Sequence, residues 1–157
     1  MEEYVLSQQA FDRLWARVRG EAPPQPARRD DLAVLRVFLE ETGQSLLLER
    51  RLSGLTGMPR LCRDTHSRLI RLETVYYLLT AERWRLPSAC PLREGALPAL
   101  RRDCLSSLAR AEDYAAERDR AAEPLLASLY DSLAGEERSH ADSLERIIGR
   151  LLGGEKK

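Results

Sequence analysis

The sequence has few cysteines, few aromatic residues and no excess charge of either sign. Its 157 residues include three cysteines, Cys62, Cys90 and Cys104. None of them forms a Cys-x-x-Cys pair, which argues against a zinc ribbon or a rubredoxin-type iron site. Three thiols in a chain expected in the cytoplasm are interpreted as buried or idle. Aromatic residues make up 6% and charged residues 32%, a composition typical of a helical protein.

Charge and hydropathy exclude several classes of partner. Lysine plus arginine and aspartate plus glutamate both number 25, so the formal net charge is zero. This balance argues against a general binder of nucleic acids or anionic membranes. No apolar run approaches the length of a membrane span, and the first residues lack the basic and apolar regions of a signal peptide. We therefore expect a cytoplasmic chain with neither nucleic acid nor membrane as partner.

Apolar residues at helical spacing predict four long helices, at about 30–55, 59–82, 98–121 and 124–152. The first two helices are separated by a short connection, so we expect antiparallel neighbours. The stretch 84–97 contains prolines and a glycine and is expected to be irregular, which permits a crossover along a bundle. The chain is thus predicted to be an all-α four-helix bundle, with two antiparallel hairpins joined by a long crossover.

An N-terminal arm precedes the bundle. Residues 4–19 are predicted to form a short amphipathic helix, followed by a proline-rich linker. The expected organisation is therefore this helix and linker at 1–29, the bundle at 30–152 and a frayed tail at 153–157. The arm, which carries Trp15, is expected to cover the core of the bundle, or alternatively to contact a second subunit in a homodimer.

Two ionisable residues interrupt the apolar seam of the fourth helix. The spacing of Leu133, Leu144 and the later isoleucines continues through Glu137 and His140. Buried ionisable groups are costly unless they are paired or bind a metal. A Glu-x-x-His motif facing the interior is also the arrangement by which helical bundles hold metal ions. The motif therefore requires a partner elsewhere in the chain.

The chain resembles the rubrerythrin-like branch of the ferritin-like superfamily. The resemblance lies in residues 63–72, leading into 75–81, and in residues 133–141, and it extends over roughly 30–152. It implies a four-helix bundle binding two iron or manganese ions. In the family, the first and third helices each supply one glutamate, and the second and fourth each supply a Glu-x-x-His. Family members include proteins that reduce peroxide or activate oxygen.

Carried over to this sequence, the implied ligand set is incomplete. The fourth helix matches with Glu137 and His140, and the first offers Glu41, with Thr42 as the competing alignment. The second helix has Thr65 and Arg68 where the family has its glutamate and histidine. The third has Ser107 in place of its glutamate. His66 lies nearby in the sequence but off the seam.

Two hypotheses for the interior follow from these substitutions. In the first, Arg68 donates forked hydrogen bonds to Glu41 and Glu137, and this salt-bridge cluster replaces the metal, with His140 hydrogen-bonded beside it. In the second, Glu41, Glu137 and His140 hold one iron, manganese or zinc ion, and Arg68 extends towards solvent. The first hypothesis predicts no cofactor.

Two functions remain open at this point. The leading one is a rubrerythrin-like protein with an eroded di-metal site, without di-iron redox activity, whose role is structural, interactive with another protein, or limited to residual metal binding. The alternative is a metal-dependent oxidoreductase acting on peroxide or oxygen. No residue is assigned a catalytic role.

Overall fold

The computed structural model describes residues 29–88 and 92–154, and it shows four helices and no strand in that part of the chain. The helices are α1 (Arg29–Arg51), α2 (Met58–Thr80), α3 (Ala96–Arg120) and α4 (Pro124–Gly154). The prediction of an all-helical chain with four long helices is confirmed for these residues. The predicted helix at 4–19, the Trp15 arm and Cys90 lie outside the described residues.

The connection between α1 and α2 begins earlier than the sequence indicates. Helix α1 ends at Arg51 instead of near residue 55, because residues 52–57 form a series of turns that reverses the chain. Gly57 has a φ of 92°, a left-handed conformation in which a side chain is strained. Pro59 follows within the first turn of α2, where backbone N–H groups have no intrahelical acceptor, so its missing N–H costs no helical hydrogen bond.

The helices form two hairpins. The connections at 52–57 and 121–123 are short, so each joins antiparallel neighbours. In the first hairpin Arg36 Nε of α1 donates to the Tyr76 hydroxyl of α2 at 3.1 Å. In the second, Arg118 of α3 pairs with Asp131 of α4 at 2.8 Å, close to the turn that joins them.

Contacts between the hairpins define their relative direction. The ring of Phe38 in α1 packs on Tyr114 in α3 with centroids 4.1 Å apart, whereas Ser45, further along α1, contacts Asp103, earlier in α3. Helices α1 and α3 are therefore antiparallel, so α2 and α3 run in the same direction. The connection between α2 and α3 must consequently travel the length of the bundle.

This crossover passes directly over the middle of α1. Gly43 is buried there, and a methyl group added to it would lie 2.8 Å from Cη2 of Trp84 and 3.0 Å from Cδ1 of Leu86. Further along the crossover, Leu92 packs at the opposite end of the bundle, against the cluster that contains Leu52. The glycine thus provides the close approach that the crossover needs.

Two glycine-to-alanine substitutions separate this packing effect from helix propensity. Alanine in place of an unconstrained glycine inside a helix stabilises by about 0.5–1 kcal/mol. We expect Gly135→Ala, which meets nothing within 4 Å, to produce this gain in urea unfolding. Gly43→Ala should produce no gain, because the added methyl group displaces the Trp84 indole. Equal stabilisation by the two variants would contradict the close packing of the crossover.

The buried face of α1 differs from the predicted seam. The sequence predicts Glu41 and Leu48 as inward positions, but both are only half-buried. Ser45 is buried as the predicted seam requires, and the other buried polar residues of α1 are Thr42 and Glu49. The pattern allows either choice, because a three-four alternation fits the leucine-rich helix equally well one residue on. Packing against α2 selects the second register, which places Glu49 in the interior.

Candidate metal site and buried charge network

A layer of polar side chains crosses the interior between two apolar clusters. One cluster is centred on aromatic and leucine residues that include Phe38, Tyr114 and Leu126, and the other on Met58, Leu100 and Leu144. All four helices contribute to the layer between them. Its buried members are Thr42, Ser45, Glu49, Thr65, Arg68, Asp103, Ser107, Arg110, Glu137 and His140.

Glu137 of α4 is fully buried and contacts two guanidinium groups. Arg110 of α3 donates from Nε to Oε1 at 3.1 Å and from Nη2 to Oε2 at 3.4 Å. Arg68 Nε of α2 lies 3.5 Å from the same Oε1. Burial would raise the pKa of Glu137, but the charges of Arg68 and Arg110 outweigh burial and hold that pKa below its usual value. Glu137 is therefore an ionised carboxylate between two cations.

Small hydroxyl side chains complete this network. Arg68 Nη2 donates to Thr65 Oγ1 at 3.0 Å, and Arg110 Nη2 donates to Ser107 Oγ at 3.2 Å. Thr65 and Ser107 are the positions at which the resemblance implies metal-binding glutamates. The shorter side chains leave room for a guanidinium, whose planar donors they accept. The two substitutions and the two arginines thus form one arrangement.

The structure brings together two members of the predicted salt-bridge cluster and leaves the third apart. Arg68 and Glu137 form an ion pair, and Arg110, which the sequence analysis did not single out, is the second cation. Glu41 has no ion pair within 4.0 Å among the described residues. Burial raises its pKa, which the charge of Arg110 partly counteracts. Glu41 lies apart from Arg68 and Glu137 because the register of α1 directs Thr42 inward and Glu41 towards a cleft.

A group of possible metal ligands lies one helical turn from this network. Glu49 of α1, Asp103 of α3 and His140 of α4 are all buried, and one ligand atom from each lies within 4.8 Å of the others. His140 Nε2 is 2.7 Å from Glu49 Oε1. We call Glu49, Asp103 and His140 the triad. It retains His140 from the predicted single-ion site, but it replaces Glu41 and Glu137.

The ligand atoms of the triad are left without hydrogen bonds in the described structure. Both oxygens of Glu49, Oδ2 of Asp103 and both ring nitrogens of His140 are buried and make no hydrogen bond of good geometry, although Glu49 Oε1 lies 2.7 Å from His140 Nε2 and Glu49 is close enough to Thr65 and Asp103 for both to lower its pKa. Buried polar atoms are normally satisfied, and each exception calls for an explanation such as a bound ion or water. A cation between the three side chains would be coordinated by one ligand atom of each.

Burial disfavours the charged form of every group in the triad. It raises the pKa of Glu49 to about 7 and that of Asp103 to about 7. The charge of Glu49 adds to the rise at Asp103, whereas hydrogen bonding from Thr65 and Asp103 partly counteracts the rise at Glu49. Burial also lowers the pKa of His140 to about 4, helped by the charge of Arg68. The imidazole is therefore neutral at pH 7, the form in which histidine binds metals.

One oxygen of Asp103 is held by a short chain of hydrogen bonds. Ser45 Oγ donates to Asp103 Oδ1 at 2.6 Å, and Arg110 Nη2 donates to Ser45 Oγ at 3.0 Å. These bonds orient the carboxylate and leave Oδ2 free for another partner. Partners of this kind, which orient a ligand without touching the ion, are common around protein metal sites.

A cleft of about 650 Å³ opens between α1 and α3 beside the triad. Asp103, Ser45 and Arg110 lie along it, and residues 92–94 of the crossover form part of its wall. Glu41 and Asp113 lie on its two sides. Because α1 and α3 belong to different hairpins, their contact is less extensive than the contacts within each hairpin.

None of the remaining described residues that the sequence analysis considered belongs to the triad. Cys62 is half-buried, and Cys104 is a free, buried thiol whose Sγ lies 3.6 Å from the carbonyl oxygen of Ala141. His66 is exposed on α2, as its position off the seam predicts. Cys90 lies outside the described residues.

Glu49, Asp103 and Arg110 were missed by the sequence analysis for a common reason. Each directly precedes or follows an apolar seam residue, such as Leu48, Cys104 or Ala111, and the apolar residue was taken as the inward position. The buried face of each helix is wider than a single seam and includes these flanking positions. Asp103, Ser107 and Arg110 stand at positions i, i+4 and i+7 of α3, and this helical spacing is the signal that could have identified them.

Comparisons with models of protein families, with curated proteins and with solved structures gave no match. Among the four helices of residues 29–88 and 92–154, none combines the length and apolar character needed to cross a bilayer.

Proposed function

We propose that this protein is a ferritin-like bundle that binds one divalent transition-metal ion at the triad and has no di-metal redox centre. The directions of the four helices and the long crossover support the ferritin-like assignment, since bundles of this type contain one such connection. The observation that carries the metal-binding proposal is the triad itself, in which three buried side chains present unpaired ligand atoms to one another.

The residues at the implied di-metal positions do not fit two metal ions. Arg68 and Arg110 both contact Glu137, the carboxylate that a second ion would need. Two divalent cations require several anionic ligands, whereas this layer contributes two fixed positive charges. Repulsion between a guanidinium and a divalent ion a few ångströms away is strong in a protein interior. The network supplies the cations that metals supply in the family.

The triad, in contrast, fits a single ion. One imidazole and two carboxylates are ligand types that zinc, iron and manganese accept in proteins. The two carboxylates balance the charge of a divalent ion, so binding converts three poorly solvated groups into a neutral unit. Glu49, His140 and Oδ2 of Asp103 would hold the ion, and Ser45 would fix Asp103.

The proposal predicts a one-to-one complex that depends on one of the two histidines. We expect protein purified without a histidine tag and stripped of metal to bind one equivalent of Zn²⁺ or Co²⁺ in equilibrium dialysis. His140→Ala should lose this stoichiometric binding, and Glu49→Gln should weaken it, because each removes a ligand. His66→Ala, which changes the exposed histidine, is the matched control and should bind like the wild type.

Two results would overturn the assignment. Absence of any binding by the folded wild type would remove the metal-binding function. Two tightly bound equivalents would restore the di-metal interpretation, and with it the alternative of an oxidoreductase acting on peroxide or oxygen. Anaerobic loading with Fe²⁺ followed by peroxide tests that alternative, since a di-iron centre gives an absorption band that responds to peroxide and a mononuclear site without redox activity does not.

We also propose, independently of metal binding, that the protein forms a homodimer or binds another protein. Tyr77 on α2 and Leu105 on α3 are exposed apolar residues, half or more accessible, which is compatible with a contact surface. Sedimentation velocity of wild-type protein with and without bound metal measures the oligomeric state directly.

A further inference from the structure

We propose that the cleft between α1 and α3 is the route by which the metal ion reaches and leaves the triad, with Asp103 passing the ion between solvent and the interior. This inference rests on the proposed metal binding. It adds that the ion is exchangeable in the folded protein, as it would be in a protein that stores or delivers metal.

The first observation is that Asp103 belongs both to the triad and to the lining of the cleft. It is a member of the triad, and it lies along the cleft, whereas Glu49 and His140 do not line it. Its Oδ2 is buried and unpaired, while its Oδ1 accepts from Ser45. A small rotation of this one carboxylate is therefore sufficient to present a ligand oxygen alternately to the cleft and to the other two ligands.

The second observation is that the other sides of the triad are closed. Towards one end of the bundle lies the apolar cluster that includes Met58, Leu100 and Leu144. Towards the other end lie Arg68 and Arg110, whose buried side chains fill the interior together with Glu137. The cleft offers the triad a polar approach, through Asp103.

The third observation concerns the side chains at the cleft. Glu41 and Asp113 lie on opposite sides of it, and the charge of Asp113 contributes to the raised pKa of Glu41. These two carboxylates would attract a divalent ion ahead of Asp103. Four arginines also line the cleft: Arg110 is engaged by Glu137 and Ser45, Arg102 is paired with Glu94, and Arg51 and Arg93 are exposed.

A bulky residue at the cleft tests the route without changing a ligand. Ala109 is exposed and lines the cleft, and Ala116 is an exposed alanine two turns further along α3, outside it. We expect Ala109→Trp to slow release of Co²⁺ to excess EDTA by about tenfold or more. A tenfold slowing corresponds to an activation free energy higher by about 1.4 kcal/mol. The dissociation constant should not change, since capture slows equally. Ala116→Trp should release the ion like the wild type.

A second variant guards against an accidental effect of the first. Ser106 is half-buried and also lines the cleft, so Ser106→Trp should slow release in the same direction. Unchanged release in both cleft variants would overturn the route, and so would equal slowing in Ala116→Trp. Release that accelerates in dilute urea identically for all variants would show that the ion leaves by local unfolding instead. If the wild type binds no Co²⁺ at equilibrium, the metal-binding function fails before this inference is reached.

Discussion

Glu137→Gln is expected to lower the free energy of unfolding by about 3–5 kcal/mol, the cost of breaking a buried ion pair by removing one partner. The side chain is fully buried and accepts from Arg110, and Arg68 lies within ion-pair distance of the same oxygen. An amide of the same shape leaves the two guanidinium groups without a counter-charge. Urea unfolding followed by circular dichroism measures the loss.

The neighbouring residue provides a matched control. Glu136 pairs with Arg71 near the surface, where its side chain is 40% exposed. Exposed ion pairs contribute at most about 1 kcal/mol, so Glu136→Gln should have a small effect. A loss of similar size in both variants would show that the interior network has no special role in stability.

The metal-free protein should become less stable as the pH rises from about 4 to about 7. Glu49 and Asp103 have pKa values raised by burial, from 4.5 to about 7 and from 3.8 to about 7. Within this window the folded state holds protons that the unfolded state has already released, so each step up in pH favours unfolding. A carboxyl group whose pKa is raised this far lowers the free energy of unfolding by on the order of 3 kcal/mol as the pH rises through this window.

Glu137 titrates in the opposite sense. Its pKa is lowered, so its contribution to stability is present above its ordinary value of 4.5 and is lost as the pH falls through the lower, folded value. His140 acts in the same direction as Glu137 between about pH 4 and 6.5, because burial lowers its pKa from 6.5 to about 4 and unfolding therefore takes up a proton. The two carboxyl groups of the triad outweigh this single imidazole, so the metal-free protein is expected to be most stable near pH 4.5–5. Thermal unfolding between pH 3 and 8 in the presence of a chelator measures the profile.

A substitution and a bound ion distinguish the contribution of the triad to this pH profile from that of the rest of the molecule. Glu49→Gln should flatten the decline at neutral pH, because one of the two titrating carboxyl groups is gone. Saturating Zn²⁺ should remove the decline and add about 2.7 kcal/mol at one hundred times the dissociation constant. A metal-free profile that rises steadily to pH 7 would contradict the burial of the triad.

Much of the fold follows from strong periodic signals. Helix α4 carries its apolar seam through Glu137 and His140, and both are buried as predicted. On α2 the inward positions Thr65, Arg68 and Leu72 are likewise buried. On α4 the apolar residues allow only one register. On α2 the pattern leaves Arg68 and Leu69 as alternatives, and the structure buries both.

The details of the site could not be obtained in the same way. On α1 the leucine-rich pattern fits two registers, and only packing against α2 decides between Glu41 and Glu49. On α3 the inward face includes Asp103 and Arg110, charged residues that are buried because partners from α1 and α4 meet them there. Such pairing depends on helices far apart in the sequence, and one helix's pattern contains no information about it.

The polar layer has a consequence for how the two hairpins align. A slip of one hairpin along the other by a single turn, about 5.4 Å, would separate Arg68 from Glu137, Ser45 from Asp103 and Glu49 from His140, the polar contacts that join the two hairpins. Two purely apolar interfaces would tolerate such a slip with little penalty. The interior charges therefore favour a single alignment of the two hairpins. Replacing the whole layer with leucine should give a bundle that is no less stable but populates more than one alignment.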